Sequence, residues 1–344
     1  MLYFSSLLQS APQYRPAAAR LFASLDAHGV RYGLQDNTRD IWLRDFMPVR
    51  RGDGKFVSFR YEPSYLKGCL DRRTDFLRDI RSQFWIFGAG FDHVICSDIN
   101  LDGGNIVFSP SKSKVIISDR VFSENSSYER DALVYELERL LEAQVIIIPS
   151  LFGDLTGHAD GMVRFADEDT VIGNATSFQN GLEQRIRAVL EREGLSVIGF
   201  PYCESSGISA AGCYLNYLET SEHIFLPVFG IGMDELAIEA AKRIFTKTIV
   251  PVRIDEIASD GGCLNCISWE IDPRDTEDYQ EERCSVVICP ICGSETLDLY
   301  HICPRCGWEY DGITEDAGFS GANGMTLREY KKQWYRRCGK ENRD

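Results

Sequence analysis

Gly157-His158-Ala159-Asp160-Gly161, followed by Met162-Val163-Arg164-Phe165, sets an imidazole and a carboxylate two residues apart. On an extended segment, as this stretch reads, side chains at i and i+2 share a face. An imidazole titrating near neutral pH beside an ionised carboxylate can move a proton and hold a cation. The pair therefore points to chemistry on a positively charged substrate, against the plainer reading of a polar pair at a sheet edge. Three other segments add to it: DIWLRDFMPV from Asp40, LDGGNIVF from Leu101 and DGGCLNCISW from Asp260. Each joins a strand-like apolar run to a Gly pair or to Arg44-Asp45, the sharp, close-approach backbone that active sites use.

Taken in order, Arg44-Asp45, Asp102-Gly103-Gly104-Asn105, Gly157-His158-x-Asp160-Gly161 and Gly261-Gly262 before Cys266 resemble the signature of the agmatine deiminase and bacterial peptidylarginine deiminase family. The resemblance spans roughly residues 1 to 275. It implies hydrolysis of a guanidino group, and the chemistry is consistent on its own terms. A guanidinium carbon is a poor electrophile, so a soft thiolate nucleophile and charge-localising carboxylates suit it. By resemblance Cys266 is the nucleophile, His158 the general acid and later base, and Asp45 and Asp160 the carboxylates that grip the guanidinium nitrogens. Asp102 takes the remaining acidic position, where the family usually carries Glu. A covalent thiouronium intermediate and no catalytic cofactor or metal are implied.

Cys263 and Cys266 form a Cys-x-x-Cys, which also fits a redox pair or half a zinc site. The family has Gly in place of Cys263 and His in place of Asn265, so Cys263 reads as a local substitution able to form a reversible disulfide with Cys266. Arg44 fits a structural ion pair, and Trp42 and Phe46 fit the core.

The elements that must position these residues are legible as short apolar runs alternating with amphipathic helices. Strand candidates are VIISD from Val115, VIIIP from Val145, TVIGN from Thr170, SVIGF from Ser196, IFLPVF from Ile224 and TIVPV from Thr248. Helical spacing of apolar residues marks Arg130–Ala143, Gly181–Gly194 and Asp234–Phe245. The alternation predicts an α/β fold, by default a doubly wound sheet. The resemblance implies instead a five-bladed α/β propeller of ββαβ modules.

Apolar periodicity stops at RDTEDYQEERC, Arg274 to Cys284. This predicts a deiminase-like domain over 1–275, a linker over 276–288 and a small domain over 289–344. The last contains two Cys-Pro-x-Cys-Gly knuckles, and Cys289, Cys292, Cys303 and Cys306 are predicted to hold a structural Zn²⁺ tetrahedrally. His301 could compete as a ligand, but four cysteines complete the coordination. The tail, with Trp308-Glu309-Tyr310-Asp311-Gly312, resembles a cysteine-rich CPCC zinc-ribbon family. A basic C-terminal helix is predicted to pack Leu327, Tyr330 and Trp334 onto the ribbon; Cys284 and Cys338 have no assigned partner.

The formal charge of −15 disfavours nucleic acid and suits a cationic substrate. No run of about 20 apolar residues that would span a membrane and no basic, apolar leader is legible. Twelve cysteines without such a leader fit reduced thiols and metal in the cytoplasm. The expected function is deimination of a guanidino substrate, agmatine first, yielding N-carbamoylputrescine for putrescine biosynthesis. Peptidyl-arginine, or a catalytically impaired deiminase-like binding protein, are the alternatives. The expected partners are that substrate, a protein recruited by the ribbon, and a second copy in a homo-oligomer.

Overall fold

The computed structural model describes residues 1–68, 72–80, 94–150, 154–175, 181–204, 207–271, 286–293, 295–297, 301–303, 305–310, 313 and 318–337. The described residues form two compact units, one within 1–84 and 91–275 and one within 276–344. Cys284, Cys338, Asp311, Gly312 and residues 276–285 of the expected linker lie outside the described residues.

Among the described residues the first unit contains five three-stranded sheets that repeat one topology. They are β3 (Val49–Arg50), β4 (Phe56–Arg60) and β5 (Val94–Asn100); β6 (Val107–Phe108), β7 (Lys114–Ser118) and β8 (Gln144–Ile148); β9 (Val163–Phe165), β10 (Thr170–Ala175) and β11 (Ser196–Pro201); and β12 (Leu218–Glu219), β13 (His223–Val228) and β14 (Thr248–Arg253). The fifth is assembled from both ends of the unit: β15 (Ser268–Glu270) beside β1 (Leu2–Ser5), which pairs β2 (Tyr32–Gln35). In each, a short strand pairs antiparallel with the central strand, which then pairs parallel with the third.

The sequence dictates this locally. Parallel strands need a crossover, and in four of the sheets it carries a helix of twelve or thirteen residues: Arg15–Ala27, Arg130–Leu141, Gly181–Arg192 and Met233–Ile244. Helix Arg130–Leu141 buries Leu133, Leu137, Leu140 and Leu141, one stripe at helical spacing. It covers β7, whose Val115, Ile116 and Ile117 are fully buried, as a β-branched central strand should be.

The expected α/β class holds, and the doubly wound default does not. The strand candidates pair two by two, 115 with 145, 170 with 196 and 224 with 249, each couple in its own sheet. The third member of each sheet is only two or three residues long in these cases, too short to show a period in sequence. It occupies the edge that a continuous sheet would have used.

Ile117 sits wholly inside one of these cores. Ile117→Ala is expected to destabilise the first unit by about 2–5 kcal/mol, read as a lowered urea midpoint; an unchanged midpoint would contradict the packing described.

Candidate active site

A turn precedes the first strand of every sheet, and the chemistry-bearing residues sit on these turns. Asp45 lies in the one-turn helix Leu43–Phe46 ahead of β3, and Asp102 caps the 3₁₀ turn Gly103–Asn105 ahead of β6. His158 caps, and Asp160 occupies, the 3₁₀ turn Ala159–Gly161 ahead of β9. Asn216 stands ahead of β12 and Cys266 ahead of β15. His158 and Asp160 are therefore not on a strand, as their spacing predicted: β9 begins only at Val163. The reason is local, since Ala159–Gly161 closes a turn in which the Met162 N–H bonds back to the Ala159 carbonyl.

Each turn is tied to the next. Asp45 Oδ1 accepts the Gly104 N–H at 3.1 Å, Asp102 Oδ2 meets His158 Nε2 at 2.8 Å, and Asp160 Oδ2 accepts Asn216 Nδ2 at 2.9 Å. Asn216 Oδ1 accepts the Cys266 N–H at 3.2 Å, and the Arg44 N–H donates to the Cys266 carbonyl at 3.1 Å, closing the circuit. The first four links span 59, 56, 56 and 50 residues, a recurrence that marks the repeat. The glycines are required by this proximity. A Cβ on Gly103 would stand 2.0 Å from the Arg44 carbonyl oxygen, and one on Gly104 2.6 Å from both Asp45 Oδ1 and His158 Nδ1. Gly261 has φ +101°, and a Cβ on Gly262 would strike the Trp42 ring at 2.4 Å.

The result is a cavity of about 1320 Å³ lined by Asp45, His158, Asp160, Asn216 and Cys266 among others. Asp45, Asp102, Asp160 and His158 are all buried. His158 Nδ1 lies 3.6 Å from Asp45 Oδ1 while its Nε2 holds Asp102. Burial works against the imidazolium, but Asp45, the hydrogen bond to Asp102 and the charges of Asp102 and Asp160 outweigh it and raise His158 to about 10. Burial, with Asp102 and Asp160 adding, pushes Asp45 up to about 8 despite the opposing imidazolium. Cys266 Sγ lies 3.7 Å from Asp160 Oδ2. Burial first, then Asp160 and Asp45, hold its thiol well above the usual range. All three shifts follow from gathering negative charge in a buried space, and a bound cation would relieve them.

Asp45, His158, Asp160 and Cys266 thus line this cavity, and Asp102 holds the imidazole that lines it. Asn216 was missed; its signal was the recurring interval, not a local motif. Asn265 donates Nδ2 to Asp160 Oδ2 at 2.7 Å. Arg44 does form an ion pair, but with Glu270 across the β15 edge at 2.6 Å and not with its neighbour Asp45. Phe46 is core, whereas Trp42 is half-buried and lines the cavity. Cys263 and Cys266 are separate thiols, Cys263 fully buried with its Sγ 3.6 Å from the Ala210 carbonyl.

In the second unit, Cys289, Cys292, Cys303 and Cys306 bring their sulfurs within 4.8 Å of one another, a group able to hold a metal ion. Among the described residues no other group of three or more such ligands is found. Leu327, Tyr330 and Trp334 of helix Leu327–Arg337 pack with Ile291 and the fully buried Trp308 around it. Among the described residues no helix is long and apolar enough to cross a membrane.

The sequence profile of the Porphyromonas-type peptidyl-arginine deiminase family matches residues 7–272, and that of the cysteine-rich CPCC family matches residues 287–344. Sequence comparison with curated proteins gives no match. Among solved structures, the agmatine deiminase of C. jejuni with substrate bound superposes with TM-score 0.60 at 17% identity, covering 78% of this chain and 92% of that one. The agmatine deiminase of Enterococcus faecalis gives TM-score 0.54 at 21% identity, covering 66% of this chain and 73% of that one. The first unit shares its fold with these agmatine deiminases. The chain belongs to the Porphyromonas-type peptidyl-arginine deiminase family, hydrolases acting on C–N bonds.

The raised protonation of Asp45 and His158 has a defined effect on stability. The folded protein holds the Asp45 proton from pH 3.8 to about 8 and the His158 proton from 6.5 to about 10, where the unfolded chain releases them. A state that binds more protons loses stability as pH rises. The unfolding free energy of the ligand-free protein is therefore expected to fall between pH 4 and 10, and Asp45→Asn to flatten that slope; equal slopes in denaturant titrations of the two proteins would contradict the assignment.

Proposed function

We propose that this protein hydrolyses the guanidino group of a cationic substrate, agmatine first, to N-carbamoylputrescine and ammonia. The observation that carries the reading is the convergence of Cys266, His158, Asp45 and Asp160 on one buried, negatively charged cavity. Asp45 and Asp160 pair with the guanidinium nitrogens, localising charge on the central carbon and offsetting the charge that keeps Cys266 protonated. With the cation bound, Cys266 releases its thiol proton to solvent and attacks that carbon as the thiolate, regaining a proton when the product leaves. His158, an imidazolium between Asp102 and Asp45, gives its proton to the departing ammonia, leaving a thiouronium ester on sulfur. Neutral His158 then takes a proton from water, which adds to the same carbon and expels the thiolate as the ureido product forms. His158 ends the cycle protonated again, and the second proton of that water passes from the ureido oxygen to the released ammonia, which leaves as ammonium.

The five sheets are read as blades of a propeller with their leading turns at its axis; the repeated topology and the closed circuit of turn contacts support this. A peptidyl-arginine substrate is the second reading. It is favoured by the cavity volume of 1320 Å³, above the roughly 300–1,000 Å³ usual for small-molecule sites. A reduced Cys266 is needed in either case, which fits the cytoplasm. The competing binding-protein reading draws on Asp102, Cys263 and Asn265, where the chain departs from its family's pattern.

We also propose that the four cysteines hold Zn²⁺. Cys289 and Cys306 sulfurs lie 3.5 Å apart, as do those of Cys292 and Cys303, near the ~3.8 Å edge of a tetrahedron with 2.3 Å Zn–S bonds. Zn²⁺ would hold the knuckles together in a unit whose apolar core, among the described residues, is small. A protein partner is assigned to this unit, where Ile302 and Phe319 are exposed.

Ammonia and ureido product measured with agmatine, free arginine and an arginine peptide, for wild type and Cys266→Ala, test the activity. Turnover of agmatine that Cys266→Ala lowers by at least ~10³-fold is expected, turnover of the peptide alone would select the second reading, and no turnover of any would favour the binding protein. Elemental analysis should give one zinc per chain, lost in Cys292→Ser/Cys303→Ser with retention of the first unit's thermal transition; full metal content in that variant would remove these ligands from consideration.

A further inference from the structure

Phe59–Leu66 (FRYEPSYL) has no part in the chemistry above, yet it is anchored beside it. Asn100, two residues before Asp102, accepts the Glu62 N–H on Oδ1 at 2.7 Å and donates Nδ2 to the Glu62 carbonyl at 2.9 Å. Leu101 N–H bonds the Arg60 carbonyl at 3.1 Å. The next turn, Ser64–Leu66, is pinned by Glu124, which accepts the Ser64 N–H at 3.0 Å and its hydroxyl at 2.6 Å. From this turn the Tyr65 hydroxyl donates to Asp102 Oδ2 at 2.8 Å, and that same oxygen meets His158 Nε2 at 2.8 Å. The Tyr65 ring stands edge-on to the imidazole with centroids 6.2 Å apart.

Two donors on one carboxylate oxygen define both the rotamer and the protonation of the group they surround. A carboxylate terminal torsion is broad and nearly two-fold, so Asp102 facing His158 alone could swing away from it. With the phenol on Oδ2, rotation breaks two hydrogen bonds at once. Asp102 Oδ2, already accepting from the phenol, faces His158 as an acceptor, so Nε2 presents its N–H there, leaving Nδ1 as the nitrogen that gains and loses the proton. Burial, with Tyr61 and Asp102 adding, keeps the Tyr65 hydroxyl protonated and donating well beyond its usual range.

We propose that Tyr65 is a positioning residue that fixes Asp102 against His158. The assignment rests on the deiminase reading for its kinetic consequence, while its geometric content can be tested apart from turnover. The ionisable groups around His158 are Asp45, Asp102, Asp160 and Tyr65, with Cys266 across the cavity.

Tyr65→Phe, Asp102→Glu and the double variant are compared in the full chain by agmatine kinetics and by ¹⁵N NMR titration of His158. Tyr65→Phe is expected to lower kcat about tenfold, a fraction of a general acid–base contribution, with KM nearly unchanged and the His158 titration moved down as its hold on Asp102 loosens. Asp102→Glu in the Tyr65→Phe background is expected to recover much of both, since the longer carboxylate reaches the imidazole without the phenol. Wild-type kcat and titration in Tyr65→Phe, or independent losses in the double variant, would overturn the proposal. Should wild type turn over no guanidino substrate, the deiminase reading fails, but the titrations still decide the role of Tyr65. Should Tyr65→Phe fail to fold, wild type decides: a low-field hydrogen-bonded Nε2 proton on His158 supports the assignment, and Nε2 without a proton overturns it.

Discussion

Buried carboxylates cannot stand close together unless donors or a cation satisfy them, and this protein buries Asp45, Asp102 and Asp160 in one place. Most of the local architecture answers that constraint. Asp45 takes a backbone N–H from Gly104, Asp102 takes the imidazole and a phenol, and Asp160 takes the amides of Asn216 and Asn265. In nearly every case the donor arrives on a different turn, so satisfying the acids also locks the modules to one another. Asn105 shows the same economy: its Oδ1 accepts the N–H groups of Ser118 and Ala159, joining the turn of one sheet to the central strand it precedes and to the turn of the next. Distances this short leave no room for Cβ atoms, which is why the acidic and nucleophilic motifs carry glycine pairs.

The donors satisfy hydrogen bonding without neutralising charge. Arg44, the cation nearest in sequence, is diverted to Glu270. What is left is an imidazolium held by two acids and a thiol kept protonated by its surroundings. Such a site is poised for a ligand that brings its own positive charge, because the same ligand that needs carboxylates also lowers the cost of ionising the nucleophile. Recognition and activation become one electrostatic event, and a neutral ligand would obtain neither.

The second unit solves a different problem. Among the described residues its apolar cluster consists of Ile291, Trp308 and Leu327, with Tyr310, Ile313, Tyr330 and Trp334 packed against them and the four cysteines. A core this small supplies little hydrophobic stabilisation on its own. The sulfurs occupy its centre, where a cross-link between the two knuckles stabilises most, and the C-terminal helix closes over them by placing its apolar stripe on Trp308.

Asp45, Asp102, His158, Asp160 and Cys266 as residues that gather at the cavity, the α/β class, the amphipathic helices and the four-cysteine cluster were legible in the sequence. These depend on side-chain chemistry, on periods of two and 3.6, and on spacing within a few residues, all of which are local. Backbone closure and contacts between segments distant in sequence decided the rest. Parallel pairing gave three couples of strands separate sheets in place of one. A 3₁₀ turn, set by its backbone closure, replaced the strand expected under His158 and Asp160. Arg44 found Glu270, Asn265 turned to Asp160, and Asn216 and Tyr65 joined the site with no motif to announce them. A sequence shows which groups can do chemistry; which donor satisfies which buried acid is fixed only when the chain brings distant turns within hydrogen-bonding distance, because that energy exists only at contact.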